Sequence, residues 1–354
     1  MSNENGISAG SKRPKKFLKV ILVLLSVIVL LCVAVYISFQ VSPWPSALLI
    51  RSAFTKDGVK LNDELGKHVK GDISSELNIQ YIQGDDDAYL DLYYPENFEG
   101  KENLPLIVWV HGGAFIAGDK SEISNYCKIL ASKGYIVAAV NYSLAPSKNY
   151  PLPVSQVNSA IGFLYKNAGK YKINTEQIFL GGDSGGAHIS AQLSNVYTDR
   201  SYSDLLNISP AVDPKLLKGV ILYCGPYNAE LVNMEGAMGG FLKTVLWSYM
   251  GSKDFMNDPG IKSFSVSNYV TGNFPRAFIS VGNEDPLGPH SHELASRLVS
   301  KGVKVDSLFF PGDHKPGLPH EYQFNLDTEA GKIALERTVE FIKSFSATAT
   351  DSTK

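Results

Sequence analysis

The sequence predicts a doubly wound α/β fold, with a mostly parallel central sheet and helices on both faces, behind one membrane-crossing helix. Three observations carry this. Continuous apolar runs alternate with helix-like stretches along most of the chain. Such runs suit strands buried on both faces of a parallel sheet, and their alternation with helices sets the class. One of the runs ends in a glycine-rich turn, QIFLGGDSGGAHI. Finally, no charge appears from Val20 through Phe39.

The uncharged run meets the ~20 residues a helix needs to cross ~30 Å of hydrocarbon. Lys12, Arg13, Lys15, Lys16 and Lys19 precede it, opposed only by Glu4. The positive-inside tendency then keeps the N-terminus cytoplasmic and sends the remainder across. A cleaved signal peptide has a shorter apolar core and a small-residue cleavage site, and VYISFQVSPWP offers a poor one. A lipoprotein signal would want a small residue in the VLL before Cys32. A buried core helix would show a polar face, which this run lacks.

The chain therefore divides into a disordered cytoplasmic tail at 1–16, a transmembrane anchor at 17–41 and a juxtamembrane or cap segment at 42–76. A catalytic body follows at 77–346, then a disordered tail at 347–354. Pro43 and Pro45 stop the anchor helix. Residues 46–76 suit one or two amphipathic helices packed against the body.

Within the body, LNIQYI and YLDLYY read as early, partly exposed strands joined by the GDDD turn. LPLIVWV, GYIVAAVNY, QIFLGG, KGVILYCG, PRAFISVG and KVDSLFF read as buried strands. SNYCKILASKG, VSQVNSAIGFLYKNA, GGAHISAQLSNVYT and HSHELASRLVSKG read as helices, with a last one over 328–345. The connection at 226–274 is too long for a plain loop. It is either a small lid over a cleft or a crossover helix with surface decoration. Phe241, Leu242, Val245, Leu246 and Trp247 either line an acyl pocket there or pack into the core.

Composition is ordinary globular, 44% hydrophobic and 19% charged, with a net charge of -2. No basic patch marks the body, which excludes nucleic acid as a partner. Cys32, Cys127 and Cys224 show no metal-type spacing. Cys127 and Cys224 are read as separate buried thiols; an oxidising compartment would permit a bridge.

Gly182-Asp183-Ser184-Gly185-Gly186 matches G-x-S-x-G at the C-terminal end of a strand, where α/β sheets collect ligands. A sharp strand-to-helix turn there would push the Ser184 hydroxyl into a cleft. Glycines two before and two after remove Cβ atoms that would clash. The competing readings are a surface serine on a tight turn and a glycine-rich phosphate loop. No Gly-Lys-Ser/Thr follows, and the spacing is not G-x-G-x-x-G. A second loop, VWVHGGAFIAGDK, also ends a buried strand. Backbone N–H groups turned inward there would stabilise an oxyanion at ~3–4 kcal/mol each. Gly112 and Gly113 are the expected donors, with Gly185 as the third. His111 is expected to shape the loop rather than act as a base.

Together, HGGAF…GDK, NYSLAP, YPLPVSQV, GGDSGGAH and NEDPLG resemble an esterase or lipase of the α/β-hydrolase superfamily. The resemblance is to the hormone-sensitive-lipase-like branch, with its bacterial carboxylesterases and feruloyl-esterase-like hydrolases, and runs from about Leu77 to Phe345. The chain departs from the family in reading HGGA for HGGG and GDSGG for GDSAG. In this fold the chain order is Ser, acid, His. The resemblance points to Asp285 as the acid, although Asp285 could merely initiate a turn before Pro286. Two histidines follow the last strand, His314 and His320. His320, with its aromatic neighbours in HEYQF, is the expected base, and His314 is the alternative.

The expected function is a membrane-anchored serine hydrolase of small-molecule carboxylic esters with short to medium acyl chains. No cofactor or metal is called for. A peptidase or amidase could use the same residues. A non-catalytic surface binding module would be expected to have lost one of them.

Overall fold

The computed structural model describes residues 14–96, 103–236 and 238–351. The chain divides into two units, through Ser46 and from Ala47 onward. In the first, helix α1 (Pro14–Val41) contains a 26-residue apolar stretch, Lys16–Val41. At 1.5 Å per residue this is about 39 Å, long enough to cross a bilayer. Its apolar side chains, Leu22, Leu25, Ile28 and Leu31 among them, are exposed. The expected tail at 1–16 lies mostly outside the described residues.

The expected one or two helices after the anchor form one, α2 (Trp44–Gly66). Pro43 ends α1, but Pro45 sits in the first turn of α2, where its missing N–H costs nothing.

Among the described residues the sheet has eight strands: β1 (Ile73–Gln80), β2 (Tyr89–Pro95), β3 (Leu104–Val110), β4 (Ile136–Val140), β5 (Ile173–Asp183), β6 (Leu217–Tyr223), β7 (Arg276–Val281) and β8 (Val305–Phe309). Their order is β1-β2-β4-β3-β5-β6-β7-β8. β2 pairs antiparallel with β1 and β4, and every other pairing is parallel.

Successive side chains of the inner strands enter two separate cores. Leu106, Val108, Leu180 and Val220 pack on one face, with the helices Leu152–Lys166, Ser184–Thr198 and Gly288–Ser300. Ile107, Trp109, Phe179 and Ile221 pack on the other, with the helices Ser124–Ala131 and Glu329–Asp351. Trp109 is fully buried and meets Tyr126, Tyr223 and Phe324 edge-on. Truncating such a ring to alanine costs ~3–5 kcal/mol.

Two boundaries differ from expectation. β1 begins four residues before Leu77, because a half-exposed edge strand lacks an apolar run. The last helix continues through Asp351 rather than giving way to a tail at 347, since SATATD holds no glycine or proline to stop it. Residues 226–274 contain a helix, Gly239–Met250, and several short turns of helix.

Candidate active site

β5 ends at Asp183, and a helix starts at Ser184 with no intervening loop. The turn puts Ser184 at φ 49°, a left-handed conformation that costs a non-glycine residue ~1–2 kcal/mol. A Cβ on Gly182 would sit 2.6 Å from the Gly186 carbonyl carbon and from Val110 O. One on Gly186 would strike the Val110 and His111 carbonyls. The crowded glycines thus let the turn pass over the end of β3.

Three sheet ends converge on the serine. His320, beyond β8, lies with Nε2 3.0 Å from Ser184 Oγ. Its Nδ1 lies 2.8 Å from Asp285 Oδ2, beyond β7. A carboxylate can only accept, so Nδ1 carries the proton and Nε2 offers its lone pair to the Ser184 hydroxyl. Asp285 also accepts the Leu287 N–H on Oδ1 at 2.8 Å. Turn initiation and histidine orientation therefore coexist, one on each oxygen.

Cys224, just beyond β6 at φ 44°, adds a thiol within hydrogen-bonding reach of His320. Burial pushes that thiol up to about 11, so it is neutral at pH 7. For the His320 imidazolium, burial works against the charge, while Cys224, Asp285 and Glu321 favour it. The net direction is upward from the ordinary histidine value. Cys224, Asp285 and His320 are the one metal-type cluster among the described residues, with ligand atoms within 4.8 Å of one another. The His320–Asp285 hydrogen bond already occupies two of its members.

His314 is elsewhere: its ring tilts against Phe310, with centroids 4.7 Å apart. His111 Nδ1–H donates to Gly112 O at 2.8 Å, and its ring stacks on Tyr142. Burial lowers its pKa, so it is a neutral part of the loop. Cys127 and Cys224 are separate buried thiols.

The oxyanion loop differs from expectation at one residue. The Gly112 N–H donates to Asp183 Oδ2 at 2.7 Å and is not free. The other Asp183 oxygen accepts Trp109 Nε1–H at 2.9 Å. Burial, and after it the Glu321 charge, raises the Asp183 pKa. The next two residues, Gly113 and Ala114, have φ 106° and 53°. Both line the cleft, and neither N–H has a partner among the described residues. The sequence placed Ala114 outside the donor positions because Asp183's reach to Gly112 leaves no signature in a string of residues.

Above Ser184 lies a cavity of about 640 Å³, within the range of small-molecule sites. Phe241, Leu242, Val245 and Leu246 line it, and Trp247 does not, packing instead near Lys253. Phe54, Asp57, Gly58 and Leu61 of α2 line the cavity too. Glu321 was not singled out by the sequence. Its Oε1 lies 3.7 Å from His320 Nε2.

Known proteins resemble this chain in sequence and in fold. The BD-FAE family model matches residues 90–298. The probable isoprenylcysteine alpha-carbonyl methylesterase ICME of Oryza sativa is 37% identical over 228 residues, 63% of this chain and 54% of that protein. Esterase LipQ of Mycobacterium tuberculosis is 26% identical over 229 residues, 62% and 51% of the two chains. The chain thus spans about half the length of these two relatives. Esterase B from Lactobacillus rhamnosis superposes with a TM-score of 0.72 at 19% identity, covering 87% of this chain and 98% of that one. With more than half of its length matched by the family model, the chain belongs to the BD-FAE family, in the hormone-sensitive-lipase-like esterase branch of the α/β-hydrolases.

Proposed function

We propose that this protein is a membrane-anchored serine hydrolase that cleaves carboxylic esters of short to medium acyl chains through an acyl-enzyme. The observation that carries the reading is the continuous relay Ser184 Oγ–His320–Asp285, at 3.0 and 2.8 Å, on the wall of a cavity. His320 Nε2 takes the Ser184 proton as Oγ attacks the ester carbonyl. The oxyanion rests on the N–H groups of Gly113, Ala114 and Gly185. His320 then gives its proton to the departing alcohol. Water, deprotonated by the same nitrogen, attacks the acyl-serine and releases the acid. Asp285 holds the imidazole in the required tautomer throughout.

The α1 helix is the proposed anchor, with the N-terminus cytoplasmic because of the basic cluster at Lys12–Lys19. The catalytic body then lies outside the cytoplasm. Two measurements test this. Ser184→Ala should abolish p-nitrophenyl butyrate hydrolysis by folded protein, and retained turnover would refute the nucleophile. Protease added to intact cells should digest the body; protection would refute the orientation.

A further inference from the structure

Glu321 immediately follows His320 and sits at φ 59°, a conformation costly for glutamate. The turn folds its carboxylate back over the site. Oε1 comes 3.7 Å from His320 Nε2 and 3.0 Å from where a Cβ on Gly112 would sit. It therefore borders both the proton-transferring nitrogen and the oxyanion loop. No lysine or arginine lines the cavity among the described residues. Glu122 and Asp57 line it as well, and neither forms an ion pair among the described residues. Burial, followed by the charge of Asp119, pushes Glu122 up to about 7. Leu242, Val245, Leu246 and Leu287 give the same lining an apolar part.

This distribution has a chemical consequence, resting on the ester-hydrolase reading above. The departing alcohol oxygen must reach His320 Nε2 to be protonated, so the alcohol's next few atoms lie beside Glu321. With a neutral alcohol the His320 imidazolium, 3.7 Å away, is the one counter-charge that the described residues offer this carboxylate beside the developing oxyanion, and the two negative charges repel. A cationic group two or three bonds from the ester oxygen pairs with the carboxylate and removes the repulsion. We infer that Glu321 is a specificity-determining residue that selects esters whose alcohol carries an ammonium group, with the acyl chain on the apolar part of the lining.

The test compares butyrylcholine with its uncharged isostere, 3,3-dimethylbutyl butyrate, on the full-length protein in detergent. Wild type should favour the cationic ester at least tenfold in kcat/KM. Glu321→Gln should cut that ratio at least fivefold. Glu321→Asp should retain a preference, which a merely structural role would not produce. Equal treatment of the two esters by wild type, or an unchanged ratio in Glu321→Gln of unaltered melting temperature, overturns the inference. Failure of the underlying reading looks different: neither ester nor p-nitrophenyl butyrate is turned over in a Ser184-dependent way.

Discussion

Asp183 ties the strand carrying the nucleophile to the loop that faces it, with Oδ2 accepting the Gly112 N–H at 2.7 Å. The sequence neighbour of Ser184 therefore holds the opposite side of the site. Asp183→Asn puts an amide donor against an N–H donor on one side. Charge-assisted bonds of this kind contribute ~1.5–3 kcal/mol each. We predict a stability loss of about 2–3 kcal/mol by urea denaturation, and a fall in kcat larger than any rise in KM.

The pH dependence follows from the direction of the His320 shift. His320 must be neutral to accept the Ser184 proton, and its pKa lies above the ordinary histidine value. Activity is thus lost as pH falls through that raised pKa, and kcat/KM should climb to a plateau with a midpoint above about 6.5, the ordinary histidine value. Glu321→Gln removes one of the charges that favour the imidazolium and should move the midpoint down. A midpoint below that of free histidine would contradict the electrostatics described above.

The two histidines after β8 separate cleanly. His320→Ala should cost several orders of magnitude in kcat. His314→Ala loses only a ring contact with Phe310 and should change kcat less than threefold, roughly the scale of a surface substitution. Comparing the purified variants on one p-nitrophenyl ester decides between them.

We propose that the apolar part of the lining sets acyl length. Leu242→Trp adds bulk to a side chain lining the cavity. The preferred p-nitrophenyl ester should shift towards shorter acyl chains, read from kcat/KM across a C2 to C12 series. An unmoved optimum would take Leu242 out of the acyl site.

Much of the fold was legible because inner parallel strands are apolar throughout. LPLIVWV coincides with β3 from Leu104 to Val110. The meeting of Ser184, Asp285 and His320 was legible in outline, since each follows its own strand. Gly112, Glu321 and Cys224 were not. What decides their roles is which distant group reaches them: Asp183 for Gly112, His320 for the other two. Such contacts depend on turn geometry, including left-handed Cys224 and Glu321, which residue types do not encode. The cavity-lining part of α2 was hidden for a related reason. The helix mixes charged and apolar residues without a marked face, and only Phe54, Asp57, Gly58 and Leu61 of it line the cleft.

The most direct test of the central claim is covalent capture. Full-length protein is treated with a fluorophosphonate and digested, and the modified residue is identified by mass spectrometry. A single adduct on Ser184, abolished in His320→Ala, is the predicted result. An adduct on another serine, or undiminished labelling of Ser184 without His320, would contradict the account.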